Sequence, residues 1–166
     1  ASLDITTTEL ADEVCGGVFS AGPDRMMAAA RAGIPTVLVP GCVDMCNFWG
    51  IGTIAEKYRN RNLYQWNPNV TLMRTNVEEN RIMGQMIAKA ANESKGPVAI
   101  LLPLKGVSML DSPGGIYWDP QADRACYDTI KANVKQGIRV IEMDNNINDP
   151  AFATAAAQTL LKMMAK

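Results

Sequence analysis

Lys105, Ser108 and Asp111 stand within one seven-residue run, KGVSMLD, and their types suit them to shared chemistry. A lysine on a fixed backbone can bind phosphate as a point charge. Desolvated, it can act as a base or form a Schiff base. Asp111 supplies a carboxylate for acid–base work, and Gly106 lets a ligand approach the backbone closely. Nothing in the chain matches the phosphate-loop pattern G-x-x-x-x-G-K-[ST]. The plainer reading of Lys105 is a solvated residue at the start of a loop.

The sequence holds no histidine, which removes Ser-His-Asp and Cys-His catalysis and every histidine-based metal site. Acid–base work must fall to Asp, Glu, Lys, Tyr, Cys or water. Asp44, Asp111, Asp144 and Asp149 are oxygen ligands of the kind Mg²⁺ uses, but Asp149 and Asp119 each precede proline and are explained as helix caps. Cys42 and Cys46 lack partners to complete a metal set, so no metal site is assigned. The run Lys57–Arg61 reads as a solvated helix end rather than a nucleic-acid patch.

These residues need elements to hold them. Val98–Leu102 is a continuous apolar run between Gly96-Pro97 and Pro103, which predicts a strand buried on both faces. Thr36–Val39 and Ile138–Met143 repeat the pattern, each after a glycine C-cap signal at Gly33-Ile34 and Gly137-Ile138. Ser2–Ile5 is a further short strand. Helices are expected from a Thr6/Glu9 capping box, from Gly22-Pro23 to about Ala32, from a Thr75/Glu78 capping box, from Pro120, and from Asp149-Pro150. The segment from Gly41 to Arg74 carries five of the ten aromatics; a short helix near Ile54–Tyr58 and a strand at Val70–Met73 are expected within it. Strands alternating with amphipathic helices predict one α/β domain over residues 1–166, an open parallel sheet with helices on both faces.

In such a sheet, ligands bind at the strand carboxyl ends. The four loops expected there offer Thr6, Thr7, Thr8 and Glu9; Gly41, Asp44 and Asn47; Lys105, Gly106, Ser108 and Asp111; and Asn145 and Asn146. The threonines could present hydroxyls and helix N-terminal N–H groups to an anion, although capping alone explains Thr6. Lys105 with Asp44 or Asp111 forms the candidate catalytic set.

The net charge of −1 gives no support for nucleic acid or an anionic membrane as partner. No apolar run reaches membrane-spanning length and no signal-peptide pattern opens the chain. Four scattered cysteines fit reduced thiols in a cytoplasmic protein. The chain opens without methionine on a candidate strand, so a fragment or processed product is expected.

Six segments in order, TTELADEV, GGVFSAGPDRMMAAARAGIP, PGCVDMCNF, NPNVTLMRT, LLPLKGVSMLDSPGG and NDPAFATAAAQTLL, resemble the carboxyl-terminal domain of a largely uncharacterised family. That family includes the tomato mosaic virus resistance protein and many bacterial and fungal relatives. The resemblance covers essentially the whole chain. It implies a longer parent with two Rossmann-like domains around a cleft, and nucleotide binding mainly by the other domain. A glycine-rich loop of H-x-T-G-x-G-G type precedes the position equivalent to Ser2 in relatives. ATP and Mg²⁺ are therefore expected of the full-length parent rather than of this chain alone.

The resulting expectation is a domain that binds a small anionic or phosphate-type ligand within a two-domain, nucleotide-linked protein. The alternatives are an enzyme domain using Lys105 with Asp44 or Asp111, and an interaction module built on the aromatic segment. The missing amino-terminal domain and further copies of the chain are the expected partners, because an uncovered sheet edge invites pairing.

Overall fold

The computed structural model describes residues 1–165. In chain order the elements are β1 (Ser2–Thr6), α1 (Thr8–Cys15), α2 (Met27–Ala32), β2 (Thr36–Gly41), β3 (Met45–Phe48), β4 (Leu63–Asn67), β5 (Val70–Arg74), α3 (Val77–Glu93), β6 (Val98–Pro103), α4 (Pro120–Asn133), β7 (Arg139–Met143) and α5 (Pro150–Met164). Two short 3₁₀ turns, Ile51–Thr53 and Glu56–Tyr58, lie between β3 and β4.

Four strands form a parallel sheet in the order β1-β2-β6-β7. The three apolar runs expected to be parallel neighbours are adjacent in that sheet. Their continuity follows from burial on two faces. Leu38, Ile100 and Leu102 pack with Met83 and Ile87 of α3 and Ile130 of α4. The alternate residues Val37, Val39 and Leu101 pack with Phe152 and Ala156 of α5. Each such side chain contributes about 1.5–3 kcal/mol relative to an exposed one. Tyr127 on α4 fixes that helix to the sheet by donating to the Pro103 carbonyl at 2.8 Å.

The long connection from Gly41 to Arg74 departs most from expectation. Beside the expected strand at its end, it holds two more strands, making an antiparallel ribbon in the order β3-β5-β4. The expected short helix is a single 3₁₀ turn at Glu56–Tyr58. Both ends of the ribbon are tied together: the Thr75 amide donates to the Asp44 carbonyl at 2.9 Å, and its hydroxyl donates to the Val43 carbonyl at 2.7 Å.

Three helix starts also differ. The Thr6/Glu9 capping box does not form, because Thr6 remains in β1 and α1 begins at Thr8. The expected Thr75/Glu78 box forms one residue later, as Asn76 with Glu79. Thr75 does not serve because its hydroxyl donates to Val43 and already accepts from Asn80 Nδ2 at 3.0 Å and from Arg74 at 3.3 Å. The segment after Pro23 makes turns and becomes helical only at Met27, with Arg25 drawn onto Asp4 by two bonds of 2.7 and 2.9 Å.

Candidate functional site

The carboxyl ends of the parallel strands and the face of the ribbon enclose a cavity of about 580 Å³. Ile5 and Thr6 end β1, Cys42 follows β2, Ser108–Leu110 follow β6, and Ile147 and Asn148 follow β7. The ribbon closes it with Met45, Asn47, Trp66, Asn67, Val70 and Leu72. All four expected loops therefore meet, and the ribbon supplies a wall that periodicity did not show.

Of the sequence-predicted residues, Thr6, Asn47 and Ser108 line the cavity directly. Thr7 is buried behind it, its hydroxyl lying 3.2 and 3.3 Å from the Val39 and Gly41 carbonyls. The Thr8 hydroxyl donates to the Met45 carbonyl at 3.3 Å and accepts from Asn47 Nδ2 at 3.0 Å. Glu9 turns to Arg25, 3.3 Å from Nε. Gly41 is packed so closely against the Ile5 carbonyl and the Ile147 side chain that a Cβ has no room.

The loop after β6 is organised from outside. Asn146 Nδ2 donates to three of its carbonyls, those of Lys105 and Ser108 at 3.0 Å and Asp111 at 3.2 Å. Gly106 takes φ 112, a conformation open to glycine, with the Asp111 carbonyl where its Cβ would be. Asn145 donates to Asp149 Oδ2 at 3.1 Å and so braces the start of α5.

The expected catalytic set is divided. Lys105 Nζ pairs with Asp144 at 2.8 Å on the surface, with side-chain exposures of 48% and 79%. Asp44 and Asp111 are fully buried; the Ser108 hydroxyl donates to the Asp44 carboxyl and accepts from the Asp111 backbone amide. Burial pushes the Asp44 carboxyl up to about 7, and the Ser108 hydroxyl bond opposes the rise. Its Oδ1 meets no donor among the described residues.

Asp111 also belongs to a cluster that sequence reasoning missed. Arg74, at the end of β5, lies 2.7 Å from Asp123 Oδ1 on α4 and 3.4 Å from Asp111 Oδ1, and its Nε donates to the Tyr117 carbonyl at 2.8 Å. Burial raises both the Asp111 and the Asp123 carboxyls, and Arg74 opposes it. This cluster joins ribbon, loop and helix through ions that are nearly inaccessible, a structural arrangement rather than a reacting one.

Cys42 was noted only as a weak metal ligand. It occupies the left-handed region at φ 58, unusual for a residue with a side chain, and faces the cavity. Burial, then the charges of Asp44 and Glu9, push its thiol up to about 12, so it stays protonated near neutral pH. The position directly after Gly41 was the available signal.

The chain matches, over residues 1–164, the family described as the uncharacterised protein family UPF0261, carboxyl-terminal domain. The chain belongs to UPF0261. A UPF0261 protein of Clostridium tetani is 48% identical over 165 residues, covering 99% of this chain and 41% of that protein. One from Mesorhizobium japonicum is 46% identical over 160 residues, covering 95% and 40%. The tomato ToMV resistance protein Tm-1(GCR237) is 38% identical over 168 residues, covering 99% of this chain and 22% of that protein. The chain thus spans about two fifths of its bacterial UPF0261 relatives.

ATP with Mg²⁺, which the resemblance implies for the full-length parent, does not fit the residues of this cavity. No cationic side chain lines the cavity, and no cluster of three potential metal ligands occurs among the described residues. Among the described residues, no helix is long and apolar enough to cross a membrane.

Proposed function

We propose that this domain is the small-molecule-binding part of a longer, two-domain cytoplasmic protein, and that its ligand occupies the cavity at the strand ends. The observation that carries this reading is the convergence of four strand-end loops and the ribbon on one concavity of about 580 Å³. That volume lies within the usual range for small-molecule sites, and strand carboxyl ends are where open parallel sheets hold ligands.

The anionic ligand expected from the sequence rested on the threonine run, where the Thr7 and Thr8 hydroxyls are bonded to carbonyls, and on Lys105, which stands outside the cavity and is engaged by Asp144. The site is kept in this reading and the lysine is not. Nucleotide chemistry belongs to the amino-terminal region of the parent. Association of copies remains part of the proposal, because β1 and β7 are uncovered sheet edges.

The test is a fragment soak with crystals of this chain, paired with thermal shifts of wild type and Leu72→Trp, which fills the cavity. Density between Trp66 and Ile147, with shifts abolished by the filled variant, is the expected result. Ligands that bind only elsewhere, or equally well to Leu72→Trp, overturn the reading.

A further inference from the structure

We infer that the cavity selects an uncharged amphiphilic ligand, an apolar body carrying an N–H or O–H donor directed at Asn47 Oδ1. The inference rests on the cavity being the binding site and specifies what it takes.

The first observation is charge. None of the described residues lining the cavity is Lys, Arg, Asp or Glu. An ionised carboxylate or phosphate entering it would leave water and meet no counter-ion. Asp12, set behind the Asn47 wall, is an acidic group fully buried in the protein, and its carboxylate disfavours an anion further.

The second observation fixes a polar atom. The Asp12 carboxylate accepts from the Asn47 amide N–H at 2.6 Å, and its two oxygens lie 3.3 and 3.2 Å from Asn47 Nδ2. The Thr8 hydroxyl, already donating to Met45, also accepts from Nδ2. Carboxylate oxygens accept only, so they must face the NH₂ group and the amide has one orientation. Oδ1 is left as the acceptor of Asn47 without a protein partner, on a residue that lines the cavity. An acceptor left free in this way favours ligands that can donate to it.

The third observation is the remaining surface. Ile5, Met45, Val70, Leu72, Leu110 and Ile147 form the apolar walls. Asn67 on the exposed end of β4 contributes an amide nitrogen, since its Oδ1 already accepts from the Asn69 amide. A donor at one end of an apolar ligand and an acceptor near the rim complete the match.

The experiment uses matched probes, phenylacetamide against phenylacetate, with inorganic phosphate as a third, followed by amide NMR shifts of the chain. The expected result is saturable shifts at Asn47 and Asn67 with phenylacetamide, affinity for phenylacetate weaker by on the order of tenfold, and no cavity shifts with phosphate. Asn67→Lys, at an exposed position, should raise phenylacetate affinity several-fold relative to phenylacetamide. Phenylacetate or phosphate binding in the cavity as tightly as phenylacetamide overturns the inference and leaves the cavity as the site. No cavity shift with any probe overturns both.

Discussion

Asp44 and Ser108, far apart in sequence, meet at 2.7 Å, Ser108 Oγ donating to Asp44 Oδ2. The same hydroxyl accepts from the amides of Leu110 and Asp111 at 3.0 and 3.1 Å. Ser108 is therefore saturated, and a cavity wall is held by a carboxyl that never reaches the cavity.

Asp44 gives the fold a pH dependence. Its carboxyl is raised to about 7 by burial, so the folded chain keeps a proton that the unfolded chain releases. The associated stability is complete below the unfolded value of 3.8 and is lost as pH rises through about 7. Asp111 and Asp123, also raised, act in the same direction. Urea midpoints should fall between about pH 5 and about pH 8, and Asp44→Asn should flatten that fall. An unchanged slope in Asp44→Asn would refute the assignment.

Asn146→Ala should destabilise the chain by about 1–3 kcal/mol, since one side chain satisfies the carbonyls of Lys105, Ser108 and Asp111. Asn146→Asp should be worse, with acceptor facing acceptor. Hydrogen exchange at Val107, whose amide donates to Asp111 Oδ2, checks whether the loop loosens locally.

Arg74→Met should cost about 3–5 kcal/mol above about pH 8, where Asp123 is ionised, because it leaves Asp111 and Asp123 buried without their cation. The cost should shrink at lower pH, where the raised carboxyls hold protons. Denaturation curves at two pH values check it, and equal costs at both would contradict the electrostatic account.

Lys105→Ala should change stability by less than about 1 kcal/mol, as expected for an exposed pair with Asp144. It should leave phenylacetamide binding unchanged. A large loss of ligand affinity in this variant would return Lys105 to the site.

The parallel core was legible because two-sided burial leaves a local mark, an unbroken apolar run such as Ala99–Leu102. The ribbon left a weaker one. Leu63–Asn67 reads as polar and aromatic because the strand is mostly exposed on both faces, and its pairing with β5 supplies what its composition does not. The cap before α3 was misread by one residue because Thr75-Asn76 and Glu78-Glu79 offer the same grammar twice. The bonds that Thr75 makes to Val43, Asn80 and Arg74 decide between them. The loops of the site were found from strand ends, whereas the separation of Lys105 from Asp44 depends on side-chain direction. Arg74 escaped notice because its partners come from elements that only folding brings together.

Thr75 joins the exit of the ribbon to its entrance at Val43 and Asp44, so the excursion from β2 leaves and returns at nearly one point. A segment tethered in that way behaves as a cassette. Its exposed end can be varied while Cys46, Phe48, Met73 and Arg74 keep it joined to the parallel core. One wall of the pocket is thereby adjustable at its outer strand, and exchanging Trp66 and Asn67 on β4 is a direct route to altered ligand preference in the same fold.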